Sequence, residues 1–247
     1  MKKQYTYNAA KIWASIVVLL LGAVFILISL HAGGDGKTVL LSVGCSLLAT
    51  GICTGFSAVF VERVPVDPLK PWGISRIYST RAEMNADCDL VMDSAKDGVD
   101  VIAFGMRSYR SDKRPLTEAL LQRGVSFRIL TMYPDSDYIK QRDREEGHAV
   151  GDTEQSVRDL IRWADEINAV CKARDYPGRI EVKGYLCMTL DFYWRVDGTV
   201  FVGPYQYGKD SQQMISFRFD DQLGADEYRQ YFETLWNAEG LTKKLTK

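Results

Sequence analysis

Two long apolar segments at the start of the chain are followed by shorter segments in which apolar and polar positions alternate. Ile12 to Leu30 and Thr38 to Val61 contain no charged residue, and each is long enough to cross a bilayer core, which takes roughly 20 helical residues. Only the short sequence HAGGDGK separates them. A cleaved signal peptide is disfavoured, because its apolar core is about 7 to 15 residues long and here a second span follows at once. The pattern therefore predicts a two-helix transmembrane hairpin over residues 1–63.

The distribution of basic residues predicts the orientation of this hairpin. The loop between the spans contains one basic residue, Lys37, and the flanking segments contain more. The flanking residues are Lys2, Lys3 and Lys11 before the first span and Arg63, Lys70, Arg76 and Arg81 after the second. Because cytoplasmic segments are enriched in lysine and arginine, we expect a two-pass protein with both termini in the cytoplasm.

Small residues recur along one face of each apolar segment, where they would allow two helix backbones to approach closely. They are Ser15, Gly22 and Ser29 in the first segment and Gly44, Gly51, Gly55 and Ala58 in the second. The second segment also carries a hydroxyl stripe: Ser42, Ser46, Thr50, Thr54 and Ser57. In one interpretation the small residues close the hairpin and the hydroxyls bond to carbonyls of the preceding turn. In the other, several hairpins assemble and the hydroxyl stripe lines a polar path.

Three prolines in VPVDPLKPW predict a non-helical linker over residues 64–72, followed by an α/β domain over residues 73–247. Apolar periodicity predicts strands at 75–78, 99–104, 126–132 and 179–186, and helices at 81–96, 116–123, 137–146, 153–173 and 225–239. Strands separated by helical segments indicate a largely parallel arrangement for this part of the sheet.

A meander of three strands is predicted towards the end of this domain. Phe192 to Val196 and Thr199 to Val202 are rich in aromatic and β-branched residues and flank Asp197-Gly198, a typical hairpin turn. Met214 to Phe219 supplies the third strand after a polar segment. With the meander included, we expect a mixed sheet flanked by helices.

The meander resembles the second half of the phospholipase D motif, His-x-Lys-x4-Asp-x6-Gly-Ser. With Asp197 or with Gly203 as the anchor, other residues occupy the His and Lys positions: Leu190 and Phe192, or Thr189 and Asp191. In that superfamily the histidine attacks phosphorus and forms a phosphohistidine. The resemblance therefore implies a phospholipase D-like fold with a degenerate motif that lacks this catalytic route.

A phospholipase D-like domain of unknown function, found after helix-turn-helix regions in some bacterial regulators, is more similar still over about Gly73 to Glu239. The shared features are the segments Arg76 to Ala82, Tyr133 to Ser136, Arg144 to Gly147 and Trp194 to Asp197. This chain has a membrane hairpin where those regulators have a DNA-binding region. The resemblance thus implies a protein of the bacterial inner (plasma) membrane, in contact with membrane lipid.

Charge and cysteine usage narrow the choice of partners. The whole chain has a net charge of −1, and residues 1–63 contain five basic and two acidic residues, which leaves −4 for residues 64–247. This balance disfavours direct nucleic-acid binding. The five cysteines have no metal-binding spacing, so we expect reduced thiols, no metal and no cofactor.

Candidate ligand-binding residues are those expected outside the carboxyl ends of the strands, where α/β sheets bind their ligands. They are Arg107, Asp135, Arg144, Glu145, Tyr193, Arg195, Asp197, Tyr205 and Tyr207. Arginine with tyrosines and carboxylates is suited to a nucleotide or another phosphate-containing ligand. The alternative is that Arg195, Asp197 and Glu145 form an internal ion-pair network. His148, between two glycines, is more typical of a solvated loop than of an acid or base.

Two functional hypotheses follow. In the first, the chain is a non-enzymatic, membrane-anchored sensor or effector whose cytosolic domain binds a ligand or a regulatory protein, forms a homo-oligomer and changes the hairpin. This organisation resembles bacterial two-span effectors of stress and anti-phage systems, in which membrane disruption arrests growth or aborts infection. In the second, the chain is a membrane-bound phosphodiesterase, which the missing motif histidine and lysine disfavour.

Overall fold

The structure is a computed structural model that describes residues 5–6, 8–61, 64–65, 69–189 and 191–247. The chain divides into two compact units, residues 1–68 and residues 69–247. Leu190, one of the residues compared with the phospholipase D motif, lies outside the described residues, and so do Lys2, Lys3 and Arg63.

The first unit contains two antiparallel helices, α1 (Ala9–His31) and α2 (Asp35–Phe56), and a π-helical turn, Ser57–Val61, continues α2. Both helices are long and apolar enough to cross a membrane. The buried residues between them are small: Ser15, Gly22, Ser29, Gly44, Gly51 and Ala58. A Cβ atom at Gly44 would lie 2.9 Å from the carbonyl oxygen of Gly22, so this packing requires glycine. A short antiparallel pair, β1 (Tyr5–Thr6) and β2 (Val64–Pro65), joins the segments flanking the helices.

The hydroxyl groups of the first unit bond within their own helices where the structure shows a partner. Ser15 and Ser29 donate to carbonyls of the preceding turn, and Thr50 donates to the carbonyl of Ser46. Ser42, Ser46 and Thr50 are exposed on the outer face of α2. The small residues therefore pack inside one hairpin, and three of the five residues of the hydroxyl stripe are exposed.

The second unit is a mixed sheet flanked by helices, which confirms the predicted fold class. Its strands are β3 (Ile74–Tyr78), β4 (Gly98–Ile102), β5 (Ser126–Met132), β6 (Ile180–Tyr185), β7 (Asp191–Val196), β8 (Thr199–Pro204), β9 (Ser216–Phe219) and β10 (Thr242–Lys244). Its helices are α3 (Arg81–Asp93), α4 (Arg107–Asp112), α5 (Arg114–Gln122), α6 (Asp137–Glu146), α7 (Asp152–Ala173) and α8 (Leu223–Trp236). Two single 3-10 turns, Lys70–Trp72 and Ser211–Gln213, complete it.

The strands of the second unit are ordered β10-β6-β5-β4-β7-β8-β9-β3. Within the described residues, β4 pairs with β5 and β5 with β6 in parallel, and the other five pairings are antiparallel. The parallel arrangement expected for the strands that helices separate is confirmed for β4, β5 and β6. It is wrong for β3, which pairs antiparallel with β9 at the edge of the sheet, because the meander lies between β4 and β3.

Alternation along the central strands gives the sheet two faces. Trp194 pairs with Val101, and both belong to the core under α3, α5 and α7. Tyr193 pairs with Ile102, and both belong to the core under α8. We call these the Trp194 face and the Tyr193 face. A residue's position along β7 therefore decides which layer of helices it meets.

Candidate functional site

A cavity of about 460 Å³ opens on the Trp194 face of the sheet. It is lined by α3, by the loop after β4 with α4, by the junction of α6 and α7, and by the segment from Tyr205 to Gln212. Its volume lies in the range of small-molecule sites, roughly 300 to 1,000 Å³. Aromatic side chains of Phe104, Tyr109 and Trp194 lie beside polar ones such as Asn85 and Gln212. The cavity can therefore offer both stacking surfaces and hydrogen bonds.

One wall of the cavity is built on a cation–aromatic contact. The Cζ atom of Arg81 lies 3.7 Å from the ring centroid of Phe192 and 6.0 Å from that of Tyr205. Thr80 caps the first turn of α3 by accepting a hydrogen bond from the Glu83 amide, which fixes the turn that carries Arg81. Burial raises the pKa of Tyr205, and the nearby Arg81 only partly offsets this effect. Tyr205 is thus a neutral hydroxyl near pH 7.

A second cation, the buried Arg142, supports the same wall from α6. Arg142 lies 4.7 Å from the Tyr205 ring centroid and forms ion pairs with Glu145, at 3.4 Å, and with Glu146. Among the described residues its Nε has no hydrogen-bond partner. The Glu146 carboxylate, which lines the cavity, is therefore already committed to Arg142.

The start of α7 is fixed by a buried carboxylate. Asp143 accepts hydrogen bonds from the backbone amides of Gly151, at 2.7 Å, and Thr153, at 3.0 Å. A carboxylate at this point satisfies amides that the helix itself leaves unpaired. Asp143 thereby holds Asp152 and Thr153 at the edge of the cavity.

A tight loop after β4 positions α4 against α7. Gly105 has a φ of 52°, and a Cβ atom there would lie 2.0 Å from the Ser156 hydroxyl, so another residue would be excluded. The Arg110 guanidinium donates to the Gly105 carbonyl at 2.7 Å and closes the loop. This arrangement places Arg107 and Ser108, both exposed, at the mouth of the cavity.

The cavity contains charges of both signs. Its lining has three cationic side chains, Arg81, Arg107 and Lys113, and five carboxylates, Asp89, Asp112, Glu146, Asp152 and Asp210. Lys113 is paired with Asp89 at 2.6 Å. Burial raises the pKa of the Cys88 thiol, which therefore stays protonated and is a poor nucleophile. The arrangement favours binding a ligand with both acidic and hydrogen-donating groups.

Two of the nine candidate residues from the sequence line this cavity, namely Arg107 and Tyr205. Glu145 lies behind the wall, against Arg142. Three further candidates lie outside the cavity. Asp135 pairs with Arg158 at 2.5 Å, and the side chains of Arg144 and Tyr207 are exposed. The candidate set therefore does not converge on one site.

Tyr193 and Arg195 lie on the Tyr193 face, opposite the cavity. Arg195 donates to the buried Asp100 carboxylate at 2.6 Å, and Arg128 binds the same carboxylate at 2.7 Å. Arg195 therefore belongs to an internal ion-pair network, as in the alternative interpretation, but its ion-pair partner is Asp100 and not Asp197 or Glu145. The sequence interpretation missed this because it did not identify the buried Asp100 on β4 as the partner.

Asp197 lies in the β7–β8 turn, where its side chain stabilises the fold. It has a φ of 51°, and its carboxylate accepts the amides of Lys96, at 2.9 Å, Asp97, at 2.8 Å, and Gly98, at 3.1 Å. Burial alone would raise the pKa of Asp197, but these three hydrogen bonds lower it. The carboxylate is fully engaged in holding the start of β4.

The residues at the motif positions take part in packing. Phe192 is fully buried, and the Thr189 hydroxyl bonds the Tyr185 hydroxyl at 2.8 Å. Burial raises the pKa of Asp191 on the other face. His148 lies on an exposed loop at the cavity, 3.4 Å from Glu146. No described histidine therefore stands at either motif register.

Sequence reasoning missed Arg81, Trp194 and Glu146 as cavity residues. All three fall inside segments that carry the family resemblance, Arg76 to Ala82, Arg144 to Gly147 and Trp194 to Asp197. Their position in these segments was the signal that could have identified them. The sequence offers no such signal for Tyr109, because α4 is too short to show a periodic pattern.

Several solved structures are similar to this chain at low sequence identity. No protein-family model matches the sequence, and no curated protein matches it. Among solved structures, the archaeal chromatin protein TrmBL2 is 12% identical with a TM-score of 0.40, covering 81% of this chain and 64% of its own. NucT from Helicobacter pylori is 12% identical with a TM-score of 0.42, and the match covers 70% of this chain and 98% of NucT. Phosphatidylserine synthase from Haemophilus influenzae Rd KW20 is 10% identical with a TM-score of 0.44, and the match covers 82% of this chain and 47% of the synthase.

The last two of these proteins belong to the phospholipase D-like superfamily. This chain spans less than two thirds of the length of TrmBL2 and of phosphatidylserine synthase. Similarity at these scores carries no conclusion about activity.

Proposed function

We propose that this chain is a membrane-anchored, non-enzymatic sensor with a degenerate phospholipase D-like domain, and that the cavity on the Trp194 face binds its ligand. The observation that carries the proposal is the cavity itself, in which polar and aromatic side chains from several separate elements surround about 460 Å³. Buried groups behind the lining, such as Asp143 and Arg142, hold it in shape. A preformed site of this kind reduces the entropy lost on binding.

The chemistry of the lining favours a nucleotide or another phosphate-bearing metabolite. Arg81 and Arg107 supply guanidinium groups suited to a phosphate. Asp112 and Asp152 supply acceptors for hydroxyl or amino hydrogens, and the ring of Tyr109 supplies a surface for stacking. A purely anionic ligand fits less well, because the carboxylates outnumber the cations.

The hairpin would then act as the effector. Ligand binding or a partner protein would bring several chains together, which raises the local concentration of hairpins. The exposed hydroxyls of Ser42, Ser46 and Thr50 support this, because they give α2 a polar outer face on a helix that otherwise meets lipid. Disruption of a bacterial inner membrane during stress or phage infection is the outcome we propose.

Calorimetric titration of the full chain in lipid nanodiscs tests the ligand site. The ligands are adenosine monophosphate, adenosine and inorganic phosphate, each at fixed ionic strength. The nucleotide should bind more tightly than either fragment. Arg107→Ala should weaken nucleotide binding roughly 10-fold or more, because a charge-assisted hydrogen bond contributes about 1.5 to 3 kcal/mol.

Arg144→Ala is the matched control, because Arg144 is exposed and does not line the cavity. It should leave affinity unchanged. Equal losses in both variants would mean that binding follows overall charge and would contradict the proposed site. Turnover of bis(p-nitrophenyl) phosphate, a phosphodiester, by the wild-type chain would favour the phosphodiesterase hypothesis instead.

A further inference from the structure

A second concavity, separate from the ligand cavity, lies at the beginning of the second unit. It is a groove of about 280 Å³ whose lining is almost entirely apolar: Leu69, Trp72, Ile74, Phe219, Gly224, Glu227 and Tyr228. Three large side chains stand out of the protein at this place, since Leu69 is 54%, Trp72 46% and Leu223 54% exposed. Exposed apolar clusters of this kind are typical of surfaces that bind another protein or a membrane.

The turn that begins the groove packs closely against α8. The 3-10 turn Lys70–Trp72 ends at Gly73, which has a φ of 71° and whose carbonyl accepts a hydrogen bond from the Asp220 amide at 2.8 Å. A Cβ atom at Gly224 would lie 2.5 Å from the carbonyl oxygen of Trp72, so the turn is seated directly on α8. The Trp72 ring is therefore presented in a defined position.

Only a short stretch of chain joins this groove to the two apolar helices. Pro65 is paired with Tyr5, and Thr6 is only three residues before the start of α1 at Ala9. Leu69 follows Pro65 by four residues, so it lies within roughly 14 Å of it at full extension. The distance from Thr6 to Ala9 is similarly limited to roughly 11 Å.

We infer that this groove, with Trp72 at its rim, docks on the membrane interface, where Leu69, Trp72 and Leu223 enter the boundary between headgroups and acyl chains. Tryptophan concentrates at this boundary because its ring is apolar and its N–H is polar. Insertion of the three side chains removes apolar surface from water, which favours the bound state. The contact is apolar, so it needs no anionic lipid and resists salt.

Tryptophan fluorescence in nanodiscs tests this inference on the full chain. Trp13 lies in α1, so the experiment uses a Trp13→Phe background, which leaves four of the five tryptophans. Of these, Trp163, Trp194 and Trp236 are buried and Trp72 is exposed. The emission is compared between nanodiscs of phosphatidylcholine with brominated acyl chains and nanodiscs of the same lipid without bromine. The brominated lipid should quench the emission of Trp72 and not that of the three buried tryptophans. Adding Trp72→Phe should remove the difference.

The double variant Leu69→Ser with Leu223→Ser should also remove the quenching while leaving thermal unfolding unchanged, because both side chains are exposed. Leu90→Ser is the matched control, since Leu90 is 71% exposed on α3 and does not line the groove. Quenching should persist in 0.5 M salt and with one chain per nanodisc.

Three results would overturn the inference. The first is equal emission in brominated and plain nanodiscs. The second is quenching that disappears at high salt, which would mean attraction through charge. The third is protection of Trp72 that requires two chains per nanodisc, which would assign the groove to a second copy of the chain.

Discussion

The guanidinium of Arg81 lies over the ring of Phe192, with 3.7 Å between its Cζ atom and the ring centroid. One register of the motif resemblance assigns Phe192 to the position of the catalytic lysine. The chain thus has a cation beside this position, but the cation comes from α3 and rests on an aromatic ring. Such a group can stabilise a fold or hold an anion, whereas the ring beneath it has no acid–base chemistry.

Arg81→Met should lower the free energy of unfolding by roughly 1 kcal/mol, because Arg81 is half-buried and cation–π contacts contribute from about 0.5 kcal/mol when exposed to about 2 kcal/mol when desolvated. The measurement is denaturant unfolding of the full chain in one detergent. Arg162→Met is the control, because Arg162 is exposed and its only ion pair in the described residues is with Asp159 at 3.3 Å. Its loss should be within about 0.5 kcal/mol. Equal losses would show that Arg81 has no special role in the wall.

The elements that could be predicted from sequence are those with long periodic patterns. The strand Ser126–Met132 and the helix Asp137–Glu146 have the predicted bounds, and α7 begins one residue earlier than expected. The short elements, α4 and β10, were missed, because six and three residues do not complete a pattern. Strand direction depends on pairings between distant segments, and no local pattern records it.

The candidate site was harder to predict than the fold. The polar residues of β7 were assigned to a cavity, but its apolar neighbour Trp194 faces the cavity instead. The alternation along a strand shows which residues share a face of the sheet. It does not show which face is fully covered by helices and which face has a cavity. The gap lies beside the short helix α4, after a loop that turns at Gly105 against Ser156 of α7.

Asp100→Ala should be strongly destabilising, by roughly 3 to 5 kcal/mol, because it removes a buried carboxylate shared by Arg128 and Arg195. Arg195→Met should cost less, since Asp100 keeps its bidentate contact with Arg128. Unfolding of both variants in the same detergent gives the comparison. Arg195→Met should also leave nucleotide affinity unchanged, and a clear loss of affinity would place Arg195 in the ligand site after all.

Asp197 should give a pH-dependent contribution to stability. Its pKa is lowered in the folded protein, because three backbone hydrogen bonds outweigh the effect of burial. The contribution is therefore complete above the unfolded carboxylate pKa, about 4, and is lost as pH falls through the lower folded value. Asn tolerates the positive φ of residue 197, so Asp197→Asn removes the charge with little backbone strain.

The difference in unfolding free energy between the wild type and Asp197→Asn should be constant from pH 7 to pH 5 and should shrink below pH 4. Asp210→Asn is a suitable comparison, because Asp210 is exposed and its carboxylate accepts one backbone hydrogen bond in the described residues, from the Gln212 amide. A difference that grows on acidification would mean that the Asp197 carboxylate is disfavoured in the folded state.

The hairpin prediction concerns whether the spans act or only anchor. A Cβ atom at Gly51 would lie 2.7 Å from the Leu19 side chain and 3.2 Å from its backbone nitrogen, so Gly51→Leu should force α1 and α2 apart. Helix association in lipid depends on close packing and on contacts of roughly 0.6 to 2 kcal/mol each, and one bulky side chain can cancel several of them. Overexpression of the wild type in bacteria should depolarise the inner membrane, as a voltage-sensitive dye reports, and Gly51→Leu should prevent this without loss of membrane insertion.

Gly36→Leu makes the same chemical change in α2 at a position where a Cβ atom meets nothing within 4 Å, so it should leave depolarisation intact. Replacement of both spans by an unrelated two-span anchor separates the two roles of the hairpin. The chimera keeps the second unit at the membrane and its ligand cavity intact, but loses the packed glycines and the exposed hydroxyls of α2. If the hairpin is the effector, the chimera should bind ligand and fail to depolarise. A chimera that depolarises fully would show that the spans only tether the chain, and that its biological activity lies in residues 69–247.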